Sequence, residues 1–164
     1  MVQCILENGM LSIITLGGMD LTNLPAHTVL VRTRSGIKMG VSSIDDVLGY
    51  VSDENFRQIL NKCKEDHIKL KDEIQTLLDK YHDDGKDPNP MAKSMSWMKT
   101  NVKLVMNESD NTIADLMTDG CNMGVKSLRK YLNQYQAADE KSKDITKKLI
   151  NLEEKLTQDI RMYL

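Results

Sequence analysis

From Ser52 onward, apolar residues recur in alternating steps of three and four, a period that confines this part of the chain to amphipathic helices. SDEN at 52–55 supplies a capping oxygen and early acidic groups, predicting a first helix to about Tyr81. Its inward face is Phe56, Ile59 or Leu60, Cys63, His67, Leu70, Ile74, Leu77 and Tyr81. HDDGKDPNP breaks that helix, and Pro90 suits the first turn of a second, running to Met106 with Met91, Met95, Met98, Val102 and Val105 inward. NESD then offers Ser109 or Asp110 as the cap of a third helix to about Gln136, seamed by Ile113, Met117, Cys121, Gly124, Leu128, Tyr131 and Tyr135. A fourth, about Asp139 to Met162, presents Ile145, Leu149, Leu152, Leu156 and Ile160. Four seamed helices with short connections predict an antiparallel four-helix bundle over residues 52–164.

The first 51 residues differ in composition. They hold seven charged side chains and six of the nine glycines, with short β-rich runs, which predicts an N-terminal β-rich element. Two apolar runs flank Asn8-Gly9, a dipeptide suited to a two-residue hairpin turn. A second hairpin is expected over HTVLVRTRSGIKMGV, with Val29, Val31 and Thr33 on one face and Gly36 in the turn, followed by a short helix over IDDVLGY capped by Ser42 or Ser43. The expected fold is thus mainly α, a bundle with a small β-hairpin element added.

The chain's 164 residues suit one domain, or one domain with a small appendage, and 40% apolar and 28% charged residues are ordinary for a soluble protein. A net charge of -2 gives no positive field to attract phosphates, which argues against nucleic acid as a partner. No apolar run approaches the ~20 residues of a bilayer span, and MVQCILENGM lacks a basic region followed by an apolar stretch. These features predict a cytoplasmic protein with no membrane partner. Cys4, Cys63 and Cys121 are odd in number and scattered, as free thiols in a reducing compartment are.

Cys63 and His67 stand four apart, one above the other on a helix. The pair carries ligand-type atoms that can share a metal such as zinc or iron, with Cys121 as a third ligand from another helix. Against this, a buried cysteine usually behaves as a small hydrophobe and an inward histidine as a hydrogen-bonded core residue, so a structural role comes first. The methionines on the second helix suggest a thioether site for a soft ion, but their spacing is that of ordinary core packing. Gly120 and Gly124, one turn apart, would each weaken an isolated helix by about 1 kcal/mol relative to alanine, so something should compensate. Close approach of another helix or room for Trp97 are two explanations. No phosphate loop, nucleophile elbow or H-E-x-x-H is present, which weakens an enzyme reading.

ILNKCKEDHIKL, SWMKTNVKLVM and TIADLMTDGCNMGVKSLRKYL together resemble an uncharacterised bacterial family of ferritin-like four-helix bundles, over residues 52–164. Cys63-Lys64, Trp97 and Gly120 carry the resemblance. It implies a ferritin-like bundle, yet the chain lacks the Glu-x-x-His pairs that hold di-iron in such oxidases, with His67 and Cys121 where inward glutamates would stand. The function expected is therefore a non-catalytic structural or interaction protein. Self-association, or docking of a protein partner, would run through the exposed strand edges of the β element. A metal-binding or thiol-redox bundle using Cys63, His67 and Cys121 is the alternative.

Overall fold

The computed structural model describes residues 24–81 and 109–164, together with the backbone of Leu6–Glu7 and Met10–Leu11. Among the described residues the chain forms four long helices: α1 (Leu24–Leu48), α2 (Glu54–Asp79), α3 (Asp110–Gln134) and α4 (Glu140–Asp159), with a 3-10 turn at Arg161–Tyr163. None is long and apolar enough to cross a membrane.

Three of the helices begin at the expected caps. Asp53, Ser109 and Asp139 accept hydrogen bonds from the backbone N–H groups of Phe56 (2.8 Å), Thr112 (3.2 Å) and Ser142 (3.1 Å). Each cap satisfies one N–H that the first turn leaves without a helical partner. The start of α2 is also tied to distant chain. The Asp110 carboxylate accepts from the N–H groups of Ser52 and Asp53 at 2.8 Å each. Tyr163 stacks on Phe56 with ring centroids 4.4 Å apart and donates its hydroxyl to Asp53 at 2.8 Å. The Phe56 N–H, and then the Tyr163 hydroxyl, hold the Asp53 carboxyl below its usual range.

The expected β element is overturned. Residues 24–48, where the second hairpin and the short capped helix were expected, form one continuous helix. The strand pairing among the described residues is β1 (Leu6–Glu7) against β2 (Met10–Leu11), with Leu6 opposite Leu11 and Glu7 opposite Met10. Two residues a side is shorter than the ~3–10 of ordinary strands, so this pairing makes no β layer and the described fold is helical. The alternation of Val29, Val31 and Thr33 misled because a helical period runs through it. Ala26, Val29, Leu30, Thr33, Ile37, Ile44 and Val47 are buried, whereas Val31 is only half-buried. Burial along a 3.6-residue stripe overrides the β preference of Val, Ile and Thr, which is under about 1 kcal/mol per residue. The hydroxyls of Thr28, Thr33 and Ser35 donate back to the carbonyls of Leu24, Val29 and Val31, satisfying themselves inside the helix.

The bundle therefore takes one helix from the region before residue 52. The other expected helix, Pro90–Met106 with its methionine stripe and Trp97, lies outside the described residues. One apolar cluster joins Ile44 and Val47 with Phe56, Leu60, Ile113, Met117, Leu156 and Ile160. A second joins Leu30 and Ile37 with Leu70, Ile74, Leu128, Ile145 and Leu149. Their membership fixes the directions: α1 and α4 run one way, α2 and α3 the other. α1 lies against α2, and α3 against α4. α4 also meets α2 and α1, while α1 and α3 touch more sparsely.

A proline at Lys38, exposed in the middle of α1, separates the two readings of this region. Beside the turn of a hairpin it would be tolerated. In a helix interior it removes one hydrogen bond and clashes with the preceding turn, so Lys38→Pro is expected to cost about 3 kcal/mol or more in denaturant melts followed by circular dichroism.

Candidate functional site

Midway along the bundle, between the two apolar clusters, the interior becomes polar. Each helix contributes one residue to this level: Gly40 from α1, His67 from α2, Gly124 from α3 and Glu153 from α4. All four line a cavity of about 330 Å³ that opens between α1 and α3. That volume lies at the low end of the ~300–1,000 Å³ typical of ligand pockets. Its remaining walls are mainly apolar, including Ile44, Leu116, Met117, Leu128 and Leu156, with Arg32, Met39, Met123 and Tyr131 also lining it. Met39 and Met123 are 60% and 58% exposed, which places them at the mouth. The Arg32 guanidinium lies 5.7 Å from the Tyr131 ring centroid.

The two glycines make room for the two polar side chains. A Cβ on Gly40 would lie 2.7 Å from His67 Nε2, and one on Gly124 would overlap the Glu153 carboxylate. The compensation that the sequence demanded for Gly124 is thus a buried acid from α4. Gly36 differs, since its Cβ would meet Leu149 at an ordinary 3.5 Å.

His67 is 2% exposed. Its Nδ1 lies 2.9 Å from the Cys63 carbonyl, which can only accept, so Nδ1 carries the proton and Nε2 presents a lone pair. That Nε2 is buried without a hydrogen-bond partner among the described residues. Burial lowers the imidazole's pKa and keeps the ring neutral, against the smaller opposing effect of the Cys63 carbonyl. Glu153 is 6% exposed, and burial pushes its carboxyl up to about 8, so it is mostly protonated at neutral pH. The level thus pairs a neutral base with a neutral acid.

The three residues expected as metal ligands are placed unequally. His67 and Cys121 line the same cavity. Cys63 Sγ lies 3.5 Å from His67 Nδ1, on the protonated side of the ring, and lines a separate groove between α2 and α4 with Lys62, Asp66, Lys155 and Asp159. Burial raises both thiols, Cys63 to about 12 and Cys121 well above the usual thiol range, so neither is a thiolate at neutral pH. Among the described residues no group of three or more His, Cys, Asp or Glu is arranged to hold a metal ion. Glu153 occupies the inward position where the sequence pattern expects Leu152, which is only half-buried. The signal was present: Glu153 stands four after Leu149 and three before Leu156, a charge on an apolar stripe.

No protein-family model, curated protein or solved structure matches the chain, so the ferritin-like resemblance of residues 52–164 gains no relative to support it.

Gly36→Ala should raise the melting temperature, gaining up to about 1 kcal/mol of helix propensity, while Gly40→Ala should lower it, because the imidazole ring is stiff and closely packed. Equal shifts of the same sign in thermal melts would contradict the close approach at Gly40. Glu153 also makes stability depend on pH. The unfolded carboxyl ionises near 4.5, while the folded one keeps its proton to about 8, so its contribution is full below 4.5 and is lost as pH rises toward 8. His67, lowered from 6.5, acts at the other side, its contribution falling away as pH drops below that value. Glu153→Gln should therefore remove the alkaline decline and leave the acid one, as measured by urea unfolding from about pH 5 to 8.

Proposed function

We propose that this chain is a non-catalytic binding protein that takes a small, mostly apolar molecule into the cavity between α1 and α3. The observation that carries this reading is His67 Nε2, a buried lone pair without a hydrogen-bond partner among the described residues, on a ring that lines the cavity together with Gly40 and the protonated Glu153. A buried acceptor left unsatisfied costs about 1–3 kcal/mol, a cost that a bound donor would recover. A few convergent polar groups in an otherwise apolar pocket are the usual composition of small-molecule sites. Catalysis has less in its favour: burial keeps both thiols protonated, and Cys63 Sγ meets the imidazole at 3.5 Å on its protonated Nδ1, which cannot take a proton from it.

A screen of neutral one- and two-ring compounds by thermal shift tests the proposal. A ligand at a hundred times its Kd should stabilise the native state by about 2.7 kcal/mol. Gly120→Met, which adds a flexible apolar chain to the α3 wall of the cavity, should remove the effect. The absence of any hit up to millimolar concentration, or hits indifferent to Gly120→Met, would refute the site.

A metal-binding reading keeps one supporting observation, the Nε2 lone pair sharing its cavity with Cys121. It would use His67 and Cys121 alone of the three expected ligands, since Cys63 lies on the protonated side of the ring. Zinc and ferrous iron belong in the same screen, where stoichiometric binding that is lost in His67→Phe would favour this reading over the first.

A further inference from the structure

We propose that the ligand of this cavity is a neutral, largely hydrocarbon molecule ending in a hydroxyl group, whose O–H donates to His67 Nε2; the inference rests on the binding reading above. With Nδ1 held by the Cys63 carbonyl, Nε2 can only accept. The buried Glu153 carboxyl keeps its proton to about 8 and can donate as well as accept. A hydroxyl matches both, giving its proton to the imidazole while its lone pairs remain available to an acid. A ketone or ether has no proton to give Nε2. A carboxylate lacks one too, and either it or a phosphate would carry a charge into a wall of Ile44, Leu116, Leu128 and Leu156. An ammonium could donate, but its charge would share the cavity with Arg32 and lose its hydration in the same apolar surroundings.

Three molecules of nearly equal size test this on the full chain: naphthalenemethanol, methylnaphthalene and naphthalenemethylamine, titrated calorimetrically at neutral pH. The alcohol should bind most tightly, by roughly tenfold or more over the hydrocarbon, because a site holding an unpaired acceptor discriminates against a ligand that cannot satisfy it. Nitrogen NMR of the wild-type histidines supplies a readout that needs no variant: the His67 Nε2 resonance should shift with the alcohol and stay in place with the hydrocarbon. Equal affinity of alcohol and hydrocarbon, or an unmoved His67 resonance, would overturn the hydroxyl assignment while leaving a binding cavity intact. Tighter binding of the amine would overturn it in favour of a cation. Failure of all three to bind would bring down the cavity reading and this inference together.

Discussion

The bundle is organised around a mismatch between two pairs of positions at one level. His67 and Glu153 are too large and too polar for a closely packed four-helix interior, and Gly40 and Gly124 are too small to fill one. Each glycine faces one of the polar side chains, so α1 yields to the imidazole and α3 to the carboxyl. The apolar clusters above and below this level pack as an ordinary core. The cavity lies where the two glycine-bearing helices, α1 and α3, would otherwise meet, which fits their sparse contact elsewhere.

The two polar residues also constrain register. Sliding α2 by one turn would carry His67 into an apolar cluster and place Cys63 or Lys71 at the polar level, leaving an imidazole nitrogen or an ammonium among aliphatic side chains. A second device acts beside it. Thr33 Oγ1 and Thr146 Oγ1 meet at 2.8 Å across α1 and α4, each also within reach of the carbonyl four residues back. Both hydroxyls are fully buried, and a shift of either helix would break the bond between them while leaving each its own carbonyl.

The sequence displayed the helices whose apolar stripes are clean and hid the one whose stripe is mixed. α2, α3 and α4 begin at Asp53, Ser109 and Asp139, all legible as caps, and their inward faces follow the expected steps nearly throughout, with Leu78 buried more fully than Leu77. α1 was illegible because its buried face includes Thr33 and Arg34, two glycines interrupt it, and its β-branched residues imitate a strand over a short window. The site was legible in part. His67 stood out as an imidazole on an apolar seam, and the pressure on Gly124 was visible. What these residues face was not, because Gly40 meets His67 and Gly124 meets Glu153 only through packing between helices distant in sequence.

The free energy of the polar level bears on why a ligand would belong there. Ion pairs at the surface, such as Lys148 with Glu73 at 2.6 Å and Arg129 with Glu154 at 2.6 Å, join neighbouring helices, but their side chains are 40–61% exposed. Pairs of that kind contribute about 0–1 kcal/mol each. An orphaned acceptor at His67 costs more than one such pair returns, about 1–3 kcal/mol, and a protonated Glu153 adds the loss of its solvation. Replacing both by leucine, with alanine at the glycines, would remove that penalty without altering the seams that build the bundle. The chain instead carries a lone pair and an acidic proton beside a largely apolar cavity, and a molecule that joined the two would turn that local penalty into binding affinity.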